Sequence, residues 1–169
     1  RLPTLSDLEH MPYLNQVIEA NFLKNPPVYM SARDVLEDAI LQDQEGNAYR
    51  FEKGARILIS PYLIQRDPRN WPDNTFNPDL FEDPVRRGVL PSERYNDFSM
   101  PPFLGGAHRC PGRFFARQEL RILLIELVRH FHFTPASTSY APKHVIGTLQ
   151  PKTAIFLNVT ARNPTSVRV

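Results

Sequence analysis

The sequence predicts a mainly α-helical fold with a small β part, of the α+β class. Two segments carry apolar residues at helical spacing, and short β-like runs separated by polar turns lie between them. The chain has 17 prolines against 7 glycines in 169 residues, although glycine is commoner than proline in an average protein. We therefore expect long irregular segments beside the helices.

The first predicted helix covers residues 6–24. Ser6 and Glu9 have the spacing of a capping box, and apolar residues recur at helical spacing as far as Leu23. The sequence Asn25-Pro26-Pro27 should end this helix, because the residue before a proline is pushed out of the helical region.

A small antiparallel sheet is predicted next, followed by a long proline-rich segment. The β-like runs are residues 28–30, 39–41, 48–51 and 56–60. Residues 62–66 suit one helical turn, whereas the apolar residues of segment 67–102 recur with neither helical nor strand periodicity. Loops of that length are uncommon inside a compact domain and usually functional, so the segment favours a binding or cofactor role.

The strongest predicted helix covers residues 111–131. Its arginines at positions 113, 117 and 121 line one side at four-residue steps. Its apolar stripe consists of Ala116, Leu120, Leu123, Leu124, Leu127, Val128 and Phe131. After it, residues 145–162 alternate around Gly147 and Pro151 in a pattern that predicts a hairpin.

Charge and composition exclude several classes of protein. The formal net charge of +2 is too small to predict nucleic-acid binding. The longest apolar run is interrupted by Arg121 and Glu126 and falls far short of the ~20 apolar residues that span a bilayer, so this segment should hold no membrane anchor. Because the chain starts at Arg1 without a methionine, we expect a piece of a longer protein.

The single cysteine, Cys110, lies in an unusual setting. One cysteine cannot form an internal disulfide or a zinc site of several cysteines, which leaves a buried thiol, a nucleophile or a single thiolate ligand. Gly105, Gly106 and Gly112 surround it, and such a loop can let the backbone approach something flat and large. We expect Pro111 at the first helical position, so that free backbone N–H groups lie beside the sulfur.

A role of Cys110 as a metal ligand requires fewer neighbouring groups than a role as a nucleophile does. A nucleophilic cysteine needs a nearby base. His108 is poorly placed for that role in a tight loop, and His130 and His132 lie at the far end of the helix. A buried cysteine in a glycine turn remains the structural alternative.

Residues 103–112, Phe-Leu-Gly-Gly-Ala-His-Arg-Cys-Pro-Gly, resemble the heme-binding signature Phe-x-x-Gly-x-x-x-Cys-x-Gly of the cytochrome P-450 family. Arg113, Phe114, Phe115, Ala116 and Glu119 resemble the start of the helix that follows the cysteine in this family. They are similar to the versions of that helix common in fungal members. Residues 11–14 with the prolines at 26 and 27 resemble the family's K helix and its exit, and residues 67–76 resemble its meander. The resemblance covers nearly all of the 169 residues. It implies that residues 1–169 are the C-terminal part of a single P-450 domain and hold the proximal half of the heme site.

The resemblance implies heme b (iron protoporphyrin IX) as cofactor and Cys110 as the proximal ligand of its iron. It also implies that Phe103 packs beside the sulfur and ring, that Gly106 makes room for the porphyrin, and that His108 and Arg33 bind the propionates. Gly112 completes the signature. The positions where the family contacts substrate are Val28, Tyr29, Met30, Thr148 and Leu149, for which core packing is an equally good explanation.

The family's chemistry implies a monooxygenase that inserts one oxygen atom of O2 into an apolar small molecule such as a lipid, sterol or secondary metabolite. Electrons would come from an NADPH-dependent reductase, and an N-terminal anchor absent from this segment would hold the enzyme in the endoplasmic reticulum membrane. The fragment alone should be inactive, because the helix that handles oxygen is absent from it. Two alternatives are a non-catalytic heme-thiolate or structural homologue, and a heme-thiolate isomerase or lyase.

The sequence departs from the family at a buried ionic triad. The K helix usually carries Glu-x-x-Arg, but the matching residues are Ala20 and Leu23, and Leu80 replaces the arginine of the meander. A shift of one residue does not restore the motif, because Glu19 would then be followed by Phe22 where arginine belongs. We expect the three apolar residues to pack together in place of the charges, since a complete apolar replacement of a buried ionic set can be neutral.

Overall fold

The computed structural model describes residues 3–43, 45–72, 75–82, 102–136, 142–145, 148–151 and 153–162. These residues form helices and short antiparallel strands, as the predicted α+β class requires. No helix in these ranges is both long enough and apolar enough to cross a membrane.

The first predicted helix is in fact two helices, α1 (Leu5–Glu9) and α2 (Pro12–Lys24). The prediction of one helix over residues 6–24 is wrong because Pro12 interrupts it. Pro12 has no N–H to continue α1 but suits the first position of α2. Met11 before it has φ −114° and ψ 66°, outside the helical region.

The capping box at the start of α1 also differs from the expected one. Thr4 is the N-cap, and its hydroxyl accepts a hydrogen bond from the N–H of Asp7 at 3.3 Å. The Asp7 carboxylate in turn accepts from the Thr4 N–H at 2.7 Å. The predicted box of Ser6 and Glu9 is therefore wrong by two positions, although its chemistry is the same.

Strands β1 (Ser31–Asp34), β2 (Ala39–Gln42), β3 (Ala48–Phe51) and β4 (Arg56–Ile59) follow α2. They form two antiparallel pairs, β1 with β4 and β2 with β3, rather than the single expected sheet.

Residues 28–30 are not a strand, contrary to the prediction. The carbonyl of Tyr29 accepts hydrogen bonds from the Ser60 hydroxyl at 2.8 Å and the Tyr62 N–H at 3.5 Å. The backbone of this segment is thus bound to the start of helix α3 (Pro61–Ile64), and β1 begins after it.

The meander begins with residues 67–72 and 75–82, which include a 3₁₀ helix at Pro78–Phe81. The rest of the predicted meander up to residue 101 lies outside the described residues. Helix α4 (Arg113–His130) follows the cysteine loop and leads directly into β5 (Phe131–Pro135).

The C-terminal part forms two strand pairs instead of the hairpin predicted over residues 145–162. Strand β6 (Pro142–Val145) pairs with β7 (Thr148–Pro151), and β8 (Leu157–Ala161) pairs with β5. Pro151 ends β7 because it has no N–H to continue the ladder, and β8 returns to the strand that follows α4. Gly147, expected in the turn, lies outside the described residues.

Helix α2 lies at the centre of the hydrophobic core. The buried cluster consists of Ile18, Ala20, Phe22, Leu23 and Phe81, with Leu14, Trp71, Leu80, Phe103, Leu120 and Leu124 packed against it. The prediction that Ala20, Leu23 and Leu80 gather in one apolar cluster is confirmed.

The predicted apolar stripe of α4 is only partly buried. Leu120 and Leu124 pack against the core, but the side chains of Leu123, Leu127 and Val128 are 44–53% exposed. The reason is that α4 meets α2 through a face that includes the predicted arginine line, on which Arg117 is only 4% exposed.

Candidate functional site

The cysteine loop, residues 102–112, closes on itself through backbone hydrogen bonds. The N–H of Cys110 donates to the carbonyl of Phe103 at 3.0 Å, and the N–H of Arg109 donates to the carbonyl of Gly106 at 3.2 Å. Residues Gly106–His108 form a 3₁₀ turn, which lies inside the larger ring closed by the Cys110–Phe103 bond. The ends of the signature are therefore held together before the helix begins.

Two residues of the loop, Leu104 and Gly106, have positive φ angles. Gly106 has φ +64°, and a Cβ there would meet no atom of the described residues within 4 Å, so this face of the loop is open toward that part of the chain. Leu104 has φ +59°, a conformation that costs a side-chain-bearing residue about 1–2 kcal/mol. Gly105 is extended at φ −148°, a conformation open to any residue, so of these two glycines only Gly106 needs the left-handed region.

Cys110 is exposed, and its sulfur lies beside the start of α4. The N-cap of α4 is Gly112, where an added Cβ would lie 3.8 Å from the Cys110 sulfur. Pro111 therefore precedes the cap and is not the first helical residue as predicted. Arg113 Nη1 donates to the carbonyl of Cys110 at 3.3 Å, which ties the first turn of α4 back to the loop.

Phe103 connects the loop to the core. Its ring packs edge-on against Phe22 of α2, with the ring centroids 5.1 Å apart. The guanidinium of Arg117 lies over the same ring, 4.8 Å from its centroid. The residue whose carbonyl binds the Cys110 N–H is thereby fixed from two sides.

The two residues expected to bind propionates lie in different settings. His108 is exposed at the end of the 3₁₀ turn, two residues before Cys110. Arg33 is half-buried in β1, where its Nη1 donates to the Ser31 hydroxyl at 3.0 Å and to the carbonyl of Ala32 at 2.7 Å. Among the described residues, no recorded hydrogen bond or ion pair joins Arg33 to the cysteine loop.

The two segments expected to contact substrate lie next to each other. The N–H of Leu149 donates to the carbonyl of Pro27 at 2.8 Å, which places the start of β7 beside residues 28–30. Val28, Tyr29 and Leu149 are half-buried, whereas Thr148 and Met30 are exposed, Met30 at 38%.

A buried ion pair that the sequence did not predict joins α2 to α4. Arg117 Nε donates to Glu19 Oε1 at 2.8 Å, and Arg117 Nη2 donates to Oε2 at 3.1 Å. In the sequence, Glu19 fits the family's motif only with a one-residue shift, and Arg117 is one of three arginines at four-residue steps. A glutamate among the buried positions Ile18, Ala20 and Phe22 is the signal that could have revealed the pair, because a buried carboxylate needs a partner.

The loop fits the group that the resemblance implies. Among the described residues, no group of three or more His, Cys, Asp and Glu side chains could hold a bare metal ion. The exposed sulfur and the open face at Gly106 leave room for a flat ring, and His108, Arg109 and Arg113 are the side chains of the loop and the first helical residue that carry N–H donors.

Known proteins are similar to this chain over nearly its whole length. It is 32% identical over 170 residues to cytochrome P450 71D180 of Thymus vulgaris, which covers 97% of the chain and 32% of that protein. It is 31% identical to cytochrome P450 71D181 of Origanum vulgare, with 97% and 32% covered. It is 28% identical to cytochrome P450 3A15 of Cavia porcellus, with 96% and 31% covered.

These relatives come from plants and a mammal, so the expected similarity to fungal members is not supported. The chain spans about a third of the length of the curated relatives that it matches. The sequence profile of the family described as cytochrome P450 matches residues 1–159. Members of that family are heme-thiolate oxidoreductases. Since the profile covers most of the chain and includes the cysteine loop, this chain belongs to the cytochrome P450 family.

Proposed function

We propose that the full-length protein is a heme-thiolate monooxygenase and that residues 1–169 form the C-terminal, proximal half of its single P450 domain. Its reaction would insert one oxygen atom of O2 into an apolar small molecule. The observation that carries this proposal is the exposed Cys110 sulfur, in a loop closed by the Cys110–Phe103 hydrogen bond, at the start of α4. Heme b bound there would supply oxygen activation, which an electron-donating thiolate ligand assists.

The residues of the loop would divide the work of holding the cofactor. Cys110 supplies the ligand atom, and Gly112 leaves space beside that sulfur. Phe103 covers the inner side of the loop, where its ring already packs on Phe22. Gly106 allows the ring to approach, because its positive φ and missing side chain keep that face open.

The propionates would be bound by His108 from the loop and by Arg33 from β1. Both side chains donate charge-assisted hydrogen bonds to carboxylates when charged. The contacts of Arg33 with Ser31 and Ala32 use only Nη1. A guanidinium has five N–H donors, so a propionate oxygen would be bound through the others.

The substrate would lie against Val28, Tyr29 and Met30 on one side and against Thr148 and Leu149 on the other. The hydrogen bond from Leu149 to Pro27 supports this assignment, since it brings the two segments to one place. Their side chains are mostly apolar and partly exposed, which suits a lipid, a sterol or a similar secondary metabolite.

Partners and location follow from the proposed reaction. The protein would take electrons from an NADPH-dependent reductase and would lie at the endoplasmic reticulum membrane through an N-terminal anchor outside this segment. The net charge of +2 over these 169 residues gives no indication of a nucleic-acid partner. The 169 residues alone would be inactive, because they lack the helix that handles oxygen in this family.

One observation favours a second candidate. The apolar cluster at Ala20, Leu23 and Leu80 replaces a charged set that family members usually carry, which favours a non-catalytic heme-thiolate homologue. A heme-thiolate isomerase or lyase would use the same cysteine loop without a reductase. Reductase, NADPH and an apolar substrate panel separate these functions: the monooxygenase consumes O2 with product formation, the isomerase or lyase forms product without reductase, and the non-catalytic homologue forms none.

The cofactor ligand is tested with the Cys110→Ala variant of the full-length protein. The wild type should give a thiolate-type carbon monoxide difference spectrum, and Cys110→Ala should abolish it. His130→Ala serves as the control, because His130 is exposed at the far end of α4 and its loss should leave the spectrum unchanged. A thiolate-type spectrum in Cys110→Ala would refute the ligand assignment.

A further inference from the structure

The ion pair of Glu19 and Arg117 is among the most deeply buried polar contacts of the described residues. Glu19 is 6% exposed and Arg117 is 4% exposed. Two parallel hydrogen bonds, of 2.8 and 3.1 Å, join the guanidinium to both carboxylate oxygens. This bidentate geometry fixes orientation as well as distance, unlike apolar packing, which is non-directional.

Arg117 also holds the cysteine loop. Its guanidinium lies 4.8 Å from the centroid of the Phe103 ring and 5.5 Å from that of Phe22. The carbonyl of Phe103 then accepts the hydrogen bond from the Cys110 N–H. A continuous series of contacts therefore runs from Glu19 through Arg117 and Phe103 to Cys110.

A second polar contact lies one helical turn away. Arg121 Nε donates to Asn15 Oδ1 at 2.7 Å. Since Asn15 is four residues before Glu19 and Arg121 is four residues after Arg117, the two helices run antiparallel where they touch. Burial lowers the pKa of Arg121, and the charge of Arg117 lowers that pKa further, while Glu19 raises it. The two contacts together fix how far α4 can slide along α2.

We propose that Glu19 and Arg117 form a positioning pair that holds the cysteine loop against α2 and so sets the place of the Cys110 sulfur. The pair would take over this task from the charged triad, whose positions hold Ala20, Leu23 and Leu80. The inference rests on the proposed function insofar as the loop is taken to bind heme. Removing one partner leaves an unpaired charge in the core, whereas removing both leaves an apolar interface without directional contacts.

Three variants of the full-length protein test the pair: Glu19→Gln, Arg117→Met and the double variant Glu19→Met/Arg117→Met. The first measurement is hydrogen exchange at the Cys110 amide, which needs no bound heme. We expect each single variant to raise the exchange rate by about tenfold to a hundredfold, the range for losing hydrogen bonds to a charged group. The double variant should recover thermal stability but not the protection of the Cys110 amide.

The second measurement is the carbon monoxide spectrum of the heme-loaded variants. A displaced sulfur should lose part or all of the thiolate-type band, an effect that a loss of stability alone does not produce in folded protein. Arg56→Met is the matched control, because Arg56 forms the same kind of pair with Asp34 on exposed strands, with side chains 67% and 57% exposed. This control should leave both measurements unchanged.

The outcomes separate the pair from the proposed function. Unchanged Cys110 exchange in folded single variants would overturn the inference, and so would a double variant that keeps both amide protection and the wild-type spectrum. If the single variants do not fold, the double variant decides by the same two measurements. A wild type without a thiolate-type spectrum would refute the proposed function, while exchange at Cys110 would still decide whether the pair positions the loop.

Discussion

The Leu23→Arg variant tests whether the core tolerates a return of one charge of the missing triad. Leu23 is 3% exposed and lies in the cluster with Ile18, Ala20, Phe22 and Phe81. The substitution removes an apolar side chain from the core and places a cation there. Leu80 occupies the position from which the family's partner residue would come, and it is apolar.

The expected cost has two parts. Truncation of a buried leucine to alanine costs about 3–5 kcal/mol from lost apolar contact and the cavity that remains. A cation left without a partner in the core adds several more, of order 3 kcal/mol. The nearest carboxylate along α2 is Glu19, one turn earlier, but both of its oxygens are bound by Arg117. We therefore expect Leu23→Arg to be less stable than Leu23→Ala.

The measurement is urea unfolding of the full-length protein, with Leu23→Ala as the matched control. Leu23→Ala should lower the free energy of unfolding by about 3 kcal/mol, and Leu23→Arg should lower it by at least about 2 kcal/mol beyond that. Equal stability of the two variants would refute the reasoning, because the new arginine would then have found water or a partner. A regain of stability in Leu23→Arg/Arg117→Met would identify that partner as Glu19.

Three other substitutions have defined outcomes. His108→Ala and Arg33→Ala should each weaken heme retention by roughly 1–3 kcal/mol, because a propionate loses one donor, while the thiolate-type spectrum stays. Heme occupancy after dialysis measures this loss. Full heme retention in both variants would show that other residues bind the propionates. Leu104→Gly should be more stable than Leu104→Ala by about 1 kcal/mol, since only glycine relieves the strain of φ +59°; equal urea midpoints would contradict that strain.

The local elements with clear signals could be predicted from the sequence. The β2 and β3 strands follow from alternation on either side of a polar turn, and the structure has them at nearly the predicted residues. Helix α4 is likewise found within two residues of its predicted start. The helix boundary at Pro12 was predicted wrongly. Pro12 divides a continuous apolar pattern into α1 and α2, although periodicity alone gives no sign of the break.

Contacts between residues far apart in the sequence could not be predicted from local patterns. The pattern of residues 145–162 shows strands, but nothing local states that β8 pairs with β5 while β6 pairs with β7. For the candidate site, the chain position of Cys110 and its glycines predicted the loop. The contact that fixes it from behind comes from Glu19 and Arg117, which are 98 residues apart, and no spacing rule joins residues at that distance.

The change from triad to pair has a simple geometric explanation. Successive residues of an α-helix are rotated by about 100°, since a turn takes 3.6 residues. Moving the acidic residue from position 20 to Glu19 therefore turns it away from the 3₁₀ helix of the meander and toward α4, both of which α2 contacts. An arginine is then needed on α4, where Arg117 lies, and is no longer needed in the meander, where Leu80 packs on the core. Because a buried charge persists only with its partner, Glu19 and Arg117 depend on each other, as the proposed replacement of the triad by the pair requires.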